Sequence, residues 1–185
     1  MTLGLALGLL FGSGWLLLHY YRAENVSAAL PHYSRTERFW VRLTVIVVSL
    51  HVTASCVTVS LMREVPAWRA ASGLALYAAA LAFWLWGRML VGPLHVQRLP
   101  EEPPLQLRRD GAFGIVRHPL YIGLLGAAAA PLLVAPRMHL FLSLAGAAVV
   151  IGVRAVQEER RLYAQLGAPY AAYCSEVKRL IPFVW

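Results

Sequence analysis

Two short polar clusters carry the side chains that could do chemistry in an otherwise apolar chain. The first is Arg117-His118-Pro119, with Tyr121 close behind it. Proline suits the first turn of a helix because its φ is already set and its missing N–H is not needed there. The order therefore predicts a helix that begins at Pro119, with a guanidinium and an imidazole at its entrance. Simple anchoring of Arg and Tyr at a membrane surface is the alternative interpretation.

The second cluster lies at the end of the last apolar run and contains Arg154, Glu158 and Glu159. Arg154 and Glu158 are one turn apart and share a helix face, whereas Glu159 points about 100° away. Taken alone, the pattern is also typical of a solvated, salt-bridged helix end. Whether the two clusters act together depends on whether the fold brings them to the same place.

The composition indicates a polytopic membrane protein with a single embedded domain. The 185 residues are 59% hydrophobic and 14% charged, whereas soluble domains carry about a quarter charged residues. The net charge of +8 comes from basic residues that flank apolar runs, which favours lipid headgroups over nucleic acid as the partner. Cys56 and Cys174 show neither a disulfide framework nor a metal-ligand spacing.

Five apolar runs predict an all-α fold with about five transmembrane helices. Residues 1–92 hold three of these helices, and residues 93–185 hold a polar, proline-rich loop, a helical hairpin and the C-terminal tail. The runs cover about 2–21, 39–62, 70–91, 119–134 and 138 onward. Because only Pro136-Arg137 interrupts the last two runs, they should form an antiparallel hairpin.

Two features within the first runs predict packing. Gly4, Gly8 and Gly12 repeat every four residues and would let another helix approach closely, either from this chain, which we favour, or from a second subunit. His51 lies mid-run, where a hydrogen-bonded structural role is favoured over a catalytic one. The sequence does not predict a homo-oligomer.

The basic residues also predict the topology. Most of them lie in the loops after the first and third runs and in the tail, so the positive-inside rule places the N-terminus outside and the C-terminus in the cytosol. The same rule puts both polar clusters at the cytosolic ends of the hairpin helices. We therefore expect the two clusters to be neighbours at one cytosolic site.

The motifs of the second half resemble the isoprenylcysteine carboxyl methyltransferase family. The resemblance covers about residues 88–185, and the related phospholipid N-methyltransferases share its Glu-Glu pair. It is carried by Arg117-His118-Pro119-Leu120-Tyr121-Ile122-Gly123, Glu158-Glu159, Leu166-Gly167 with Tyr170 and Tyr173, and Arg179-Leu180-Ile181-Pro182-Phe183.

This resemblance implies S-adenosylmethionine bound at the cytosolic ends of the last helices, in a C-terminal cofactor-binding region. His118 and Arg154 would be the catalytic residues, and Arg154 and Glu159 would contact the substrate. Glu158 would meet the amino group of the cofactor. The full set of implied cofactor contacts is Gln97, Leu105, Leu107, Arg108, Phe113, His118, Pro119, Tyr121 and Glu158.

The acceptor can be considered from the same residues. A carboxylate is ionised at neutral pH, with a reference pKa of about 4, so it needs a cation such as Arg154 but no base. An amine must lose a proton and would call for a base such as His118 or Glu159. The residues thus favour an acidic, lipid-like substrate drawn from the bilayer, and the family resemblance implies carboxyl O-methylation of a prenylated cysteine or a similar acid.

Two other classes of function remain as alternatives. One is an N- or S-methyltransferase that acts on another lipid or a small apolar molecule. The other is a transporter or a non-enzymatic membrane protein. Transport is disfavoured because no apolar run is broken at mid-depth and no inverted repeat is visible.

Overall fold

The computed structural model describes residues 2–14, 34–91 and 107–181, and this part of the chain confirms the all-α prediction. Two helices are short and flank the polar clusters: one lies between the third and fourth of the longer helices, and the other follows the last of them. In chain order they are α1 (Leu3–Gly14), α2 (Arg35–Ser60), α3 (Ala67–Val91), α4 (Ala112–Ile115), α5 (Pro119–Val134), α6 (Met138–Leu166) and α7 (Ala168–Glu176).

Three of the described helices, α2, α3 and α6, are long and apolar enough to cross a membrane. A span needs about 20 apolar residues, and α1 and α5 are shorter apolar helices. The continuation of the first apolar run lies outside the described residues. The membrane character is thus supported, and the count of five spans stays a prediction.

A seam of small residues holds α5 antiparallel against α3. At one end Gly73 faces Ala130 and Val134, and at the other Gly87 faces Pro119. A Cβ on Gly87 would lie 3.2 Å from Pro119 Cγ. Small side chains let helix backbones approach each other closely, so this seam fixes where α5 begins relative to α3.

The glycines of α1 pack against the end of α2 in the same chain. A Cβ on Gly4 would lie 2.6 Å from the carbonyl oxygen of Val59, and one on Gly8 would lie 2.8 Å from that of Cys56. Gly12 faces the Cys56 sulfur. The glycine face predicted from the sequence is therefore confirmed, and its neighbour belongs to this chain.

His51 joins α2 to both hairpin helices and is only 1% exposed. Its Nε2 lies 2.9 Å from the carbonyl oxygen of Ala128, and its Nδ1 lies 2.7 Å from the Ser143 hydroxyl. Since a carbonyl only accepts, Nε2 carries the proton and donates it there. The prediction of a structural, hydrogen-bonded histidine is confirmed.

Helices α5 and α6 are antiparallel, as predicted from the short turn between them. Tyr121, near the start of α5, donates a hydrogen bond to Glu158 near the end of α6. Each helix nevertheless packs mainly against an N-terminal helix, α5 on α3 and α6 on α2. The hairpin is thus one side of a four-helix arrangement.

The seam can be tested at Gly123, where a Cβ would lie 2.6 Å from Trp84 Cβ and 2.9 Å from the Ala80 carbonyl oxygen. We expect Gly123→Ala to lower the free energy of unfolding by about 1–3 kcal/mol through overpacking. Thermal unfolding in detergent measures the change. Gly146 on α6 is the matched control, because a Cβ there meets no atom within 4 Å. Equal effects at both glycines would contradict the seam.

Candidate active site

A short extended segment leads into α5 and pairs with the C-terminal segment of the chain. Gly111 takes a φ of 56°, in the left-handed region that favours glycine, and starts the single turn of α4. Val116 then forms a parallel bridge with Lys178. The Arg117 N–H donates to the Lys178 carbonyl at 2.8 Å, and the His118 N–H donates to the Arg179 carbonyl at 3.2 Å. The backbone of the first polar cluster is therefore hydrogen-bonded to the C-terminal segment.

Glu159 is the centre of a buried ion cluster and is itself 5% exposed. Its Oε1 lies 3.0 Å from Arg117 Nε and 3.2 Å from His118 Nε2. Its Oε2 accepts two hydrogen bonds from Arg179, from Nε at 2.9 Å and from Nη2 at 2.6 Å. These bonds raise the pKa of Arg179 above its usual value. One carboxylate thus links the entrance of α5, the end of α6 and the C-terminal segment.

Glu158 belongs to a second, more open contact. Tyr121 donates its hydroxyl to Glu158 Oε2 at 2.8 Å, and His118 Nδ1 lies 4.0 Å from the same oxygen. The imidazole stacks on the Tyr121 ring with centroids 5.4 Å apart. The side chain of Glu158 is 35% exposed. The two polar clusters therefore meet, as the topology argument predicted.

The partners of His118 define its tautomer. Nε2 faces the Glu159 carboxylate, which only accepts, so Nε2 carries a proton. Nδ1 is left facing Glu158. The imidazole thus has one face on Tyr121, one nitrogen committed to Glu159, and the other nitrogen at the edge of the open contact.

Arg154 lies one turn before Glu158 on α6 and is 6% exposed. Its Nη1 lies 3.4 Å from the amide oxygen of Gln157. A guanidinium and a carboxylate of opposite charge therefore stand side by side on one face of α6, the first buried and the second accessible. Such a pair can bind a cationic group and an anionic group next to each other.

The short helices α4 and α7 support this site from the outside. The Tyr173 hydroxyl donates to the Phe113 carbonyl at 2.6 Å, and Arg109 donates to the Pro169 carbonyl at 2.8 Å. Tyr170 is buried beneath them, and burial together with the charge of Glu159 raises the pKa of its phenol. The segments around α4 and α7, which are far apart in sequence, are thereby joined.

Of the remaining cofactor contacts implied by the resemblance, four lie in the described part of the chain and two lie outside it. Pro119 is buried at the start of α5, as predicted, and Phe113 is half-buried in α4. Leu107 precedes α4, and the Arg108 guanidinium lies 3.7 Å from the Asp110 carboxylate. Gln97 and Leu105 lie outside the described residues.

Sequence reasoning missed the role of Arg179. Arg179 appeared there only as part of the tail motif, and its pairing with Glu159 joins segments that no periodic pattern relates. Glu159 was predicted to contact substrate. That prediction stays untested, although both oxygens of the carboxylate are engaged by side chains of the chain itself.

Comparison with known proteins defines the class of the chain, the methyltransferases. Residues 72–164, half of the chain, match the Isoprenylcysteine carboxyl methyltransferase (ICMT) family, and the chain belongs to that family. It is also 26% identical over 193 residues to a methanethiol S-methyltransferase of Pseudomonas sp. (strain GM41(2012)), an alignment that covers 90% of this chain and 71% of the relative. His118, Tyr121 and Glu158 fall within the matched range.

The two adjacent carboxylates should differ sharply in their effect on stability. Glu159→Gln removes the carboxylate that lies against both Arg117 and Arg179, so we expect it to lower the free energy of unfolding by about 3 kcal/mol. Glu158→Gln keeps an acceptor for Tyr121 and should lower it by about 1 kcal/mol at most. Thermal unfolding without cofactor measures both.

Glu176→Gln is the control for loss of a carboxylate at an exposed position, where the side chain is 65% exposed and its ion pair is 4.0 Å long. Its stability should stay within about 0.5 kcal/mol of the wild type. A Glu159 variant as stable as this control would show that the cluster does not hold the site together.

Proposed function

We propose that the protein transfers a methyl group from S-adenosylmethionine to an anionic acceptor carried on an apolar group, with a carboxylate as the first candidate. The observation that carries the proposal is the Tyr121–Glu158 hydrogen bond, 2.8 Å long, which joins the start of α5 to the end of α6. It places an accessible carboxylate one helical turn from the buried Arg154. Family membership supports methyl transfer over the transporter and scaffold alternatives.

The residues at this junction fit the cofactor by their chemistry. Glu158 accepts one hydrogen bond from Tyr121 and its side chain is partly exposed, so it can also accept a hydrogen bond from an ammonium group. The stacked rings of His118 and Tyr121 offer an aromatic and polar wall beside it. When bound, S-adenosylmethionine supplies an electrophilic methyl group on a sulfonium. Leu107, Arg108, Phe113 and Pro119, with Gln97 and Leu105, remain the further predicted contacts.

Arg154 would hold the acceptor. Its guanidinium is nearly buried, where charge-assisted hydrogen bonds are stronger than in water because the local dielectric is low. A planar guanidinium can bind both oxygens of a carboxylate and fix its direction. Methyl transfer is an in-line displacement, so orientation and exclusion of water are the main contributions that the chain can make.

A carboxylate acceptor has the advantage that no base is needed, because it is already ionised at neutral pH with a pKa of about 4. The site is compatible with this requirement, because Glu159, one of the two candidate bases, is already held by Arg117 and Arg179. A lipid-like acid could approach from the bilayer between helices. The predicted topology would then place the reaction at the cytosolic surface.

A thiol is the second candidate acceptor, and one comparison favours it. The relative that aligns with 90% of this chain is named for methanethiol. The thiolate is the nucleophilic form, and a nearby guanidinium such as Arg154 would favour that form by stabilising its charge. Both candidates are anions at the moment of attack, so the same residue would serve either one.

Substitutions should separate the cofactor role from the acceptor role. Glu158→Gln removes the charge opposite an ammonium group, so S-adenosylmethionine should bind about 10–100-fold more weakly. Arg154→Ala should retain cofactor binding while turnover falls about a hundredfold through loss of acceptor alignment. Calorimetry with S-adenosylmethionine and single-turnover assays measure the two effects. A wild-type protein that does not bind the cofactor saturably would reject the proposal, and an Arg154 variant with normal turnover would reject the acceptor role.

The pH dependence should identify the acceptor class. With a carboxylate acceptor, turnover should be nearly independent of pH between about 6 and 9, because the acceptor pKa of about 4 lies well below this range. With a thiol, turnover should rise with pH until it levels off near the thiol pKa, about 8.5 or lower if a cation favours the thiolate. Incubation with methyl-labelled cofactor and membrane lipids, or with defined prenylated acids and alkyl thiols, supplies the product to be measured.

A further inference from the structure

The C-terminal segment after α7 completes the candidate site. It leaves α7 at Glu176 and runs beside the entrance of α5, where Val116 and Lys178 form a parallel bridge. The backbone carbonyls of Lys178 and Arg179 accept from the N–H groups of Arg117 and His118. The segment is therefore in register with the residues that precede Pro119, and the side chain of Arg179 is directed to the end of α6.

Arg179 binds one oxygen of the Glu159 carboxylate, and other side chains contact the second oxygen. Its Nε and Nη2 both donate to Oε2, at 2.9 and 2.6 Å. Oε1 is left for His118 Nε2 at 3.2 Å and Arg117 Nε at 3.0 Å. A guanidinium that donates through two nitrogens restricts the plane of the carboxylate, and the direction of Oε1 follows from that plane.

The orientation of His118 follows in turn. Oε1 accepts the Nε2 proton, so the opposite nitrogen, Nδ1, is turned toward Glu158 at 4.0 Å. The ring then stacks on Tyr121 with an interplanar angle of 24°. Arg117 and Arg179 together also compensate the charge of Glu159.

We propose that Arg179 is a positioning residue of the methyl-transfer site, which acts through Glu159 to set the orientation and tautomer of His118 beside Glu158. The hydrogen bonds run from Arg179 to Glu159 and from Glu159 to His118, so the proposed effect of Arg179 on the cofactor passes through these two residues. The proposal rests on the function proposed above. It adds that the segment around residues 177–180, beyond the range matched by the family, is required for an ordered cofactor site.

The test uses the full-length protein in detergent or nanodiscs with three substitutions. Arg179→Gln removes the two-point contact, and Arg179→Lys keeps the charge but offers a single point. Lys178→Gln is the matched control, because this neighbouring side chain is exposed and only its backbone takes part in the pairing. Two quantities are measured: the dissociation constant for S-adenosylmethionine, and the imidazole ¹⁵N shifts of His118 without cofactor, assigned with His118→Gln.

We expect Arg179→Gln to weaken cofactor binding about tenfold, in line with the 10–100-fold effect of groups that orient ligating histidines in metal sites. The His118 ¹⁵N shifts should move away from their wild-type values. Lys178→Gln should leave both quantities at wild-type values, and Arg179→Lys should be intermediate. If Arg179→Gln does not fold, Arg179→Lys carries the test through the same two readouts.

Wild-type ¹⁵N shifts and affinity in Arg179→Gln, or in Arg179→Lys where the Gln variant does not fold, would overturn the proposal. Equal losses in Lys178→Gln and Arg179→Gln would overturn it as well, because they would reflect only the charge of the segment. A wild-type protein that binds no S-adenosylmethionine would reject the proposed function instead, while the ¹⁵N shifts without cofactor would still report whether Arg179 positions His118.

Discussion

One buried carboxylate, Glu159, is the interaction on which the geometry of the site depends. Three segments converge on it: the extended residues before α5, the end of α6 and the strand-like segment after α7. An isolated buried anion would be strongly unfavourable, and two partly buried guanidinium groups would also be destabilised without an anion. Each group is tolerable only in the presence of the others, so the cluster favours a single arrangement of these three segments.

The apolar part of the molecule determines how accurately these polar ends meet. Gly73, Gly87 and Gly123 let α5 lie directly against α3, which sets the height of Pro119 along the bundle. His51 links α2 to Ala128 of α5 and to Ser143 of α6 through its two ring nitrogens. Because an unpaired polar group is costly in an apolar interior, these contacts limit sliding between helices. A shift of one turn, about 5.4 Å, would separate Tyr121 from Glu158.

The sequence predicted the features of the fold that local or periodic signals determine, such as where a helix begins. Pro119 marked the start of α5, the run from 138 onward predicted α6, and the distribution of basic residues predicted both clusters at one end of the hairpin. The pairing of Val116 with Lys178 could not be predicted, because single bridges between short segments leave no periodic trace. The main packing of α5 on α3 was also missed, since connectivity predicts neighbours but not which neighbour offers the better fit of small residues.

Adjacent glutamates are useful here because of the helical angle between them. A rotation of about 100° per residue sends Glu159 inward to Arg117, His118 and Arg179, and leaves Glu158 at the more open junction with Tyr121. The Glu159 carboxylate binds side chains of the chain itself, whereas the Glu158 carboxylate lies at an accessible surface. With Arg154 on the face of Glu158, the site presents one anion and one cation side by side. That arrangement suits a cationic donor and an anionic acceptor, whereas two cations or two anions would not both find a partner there.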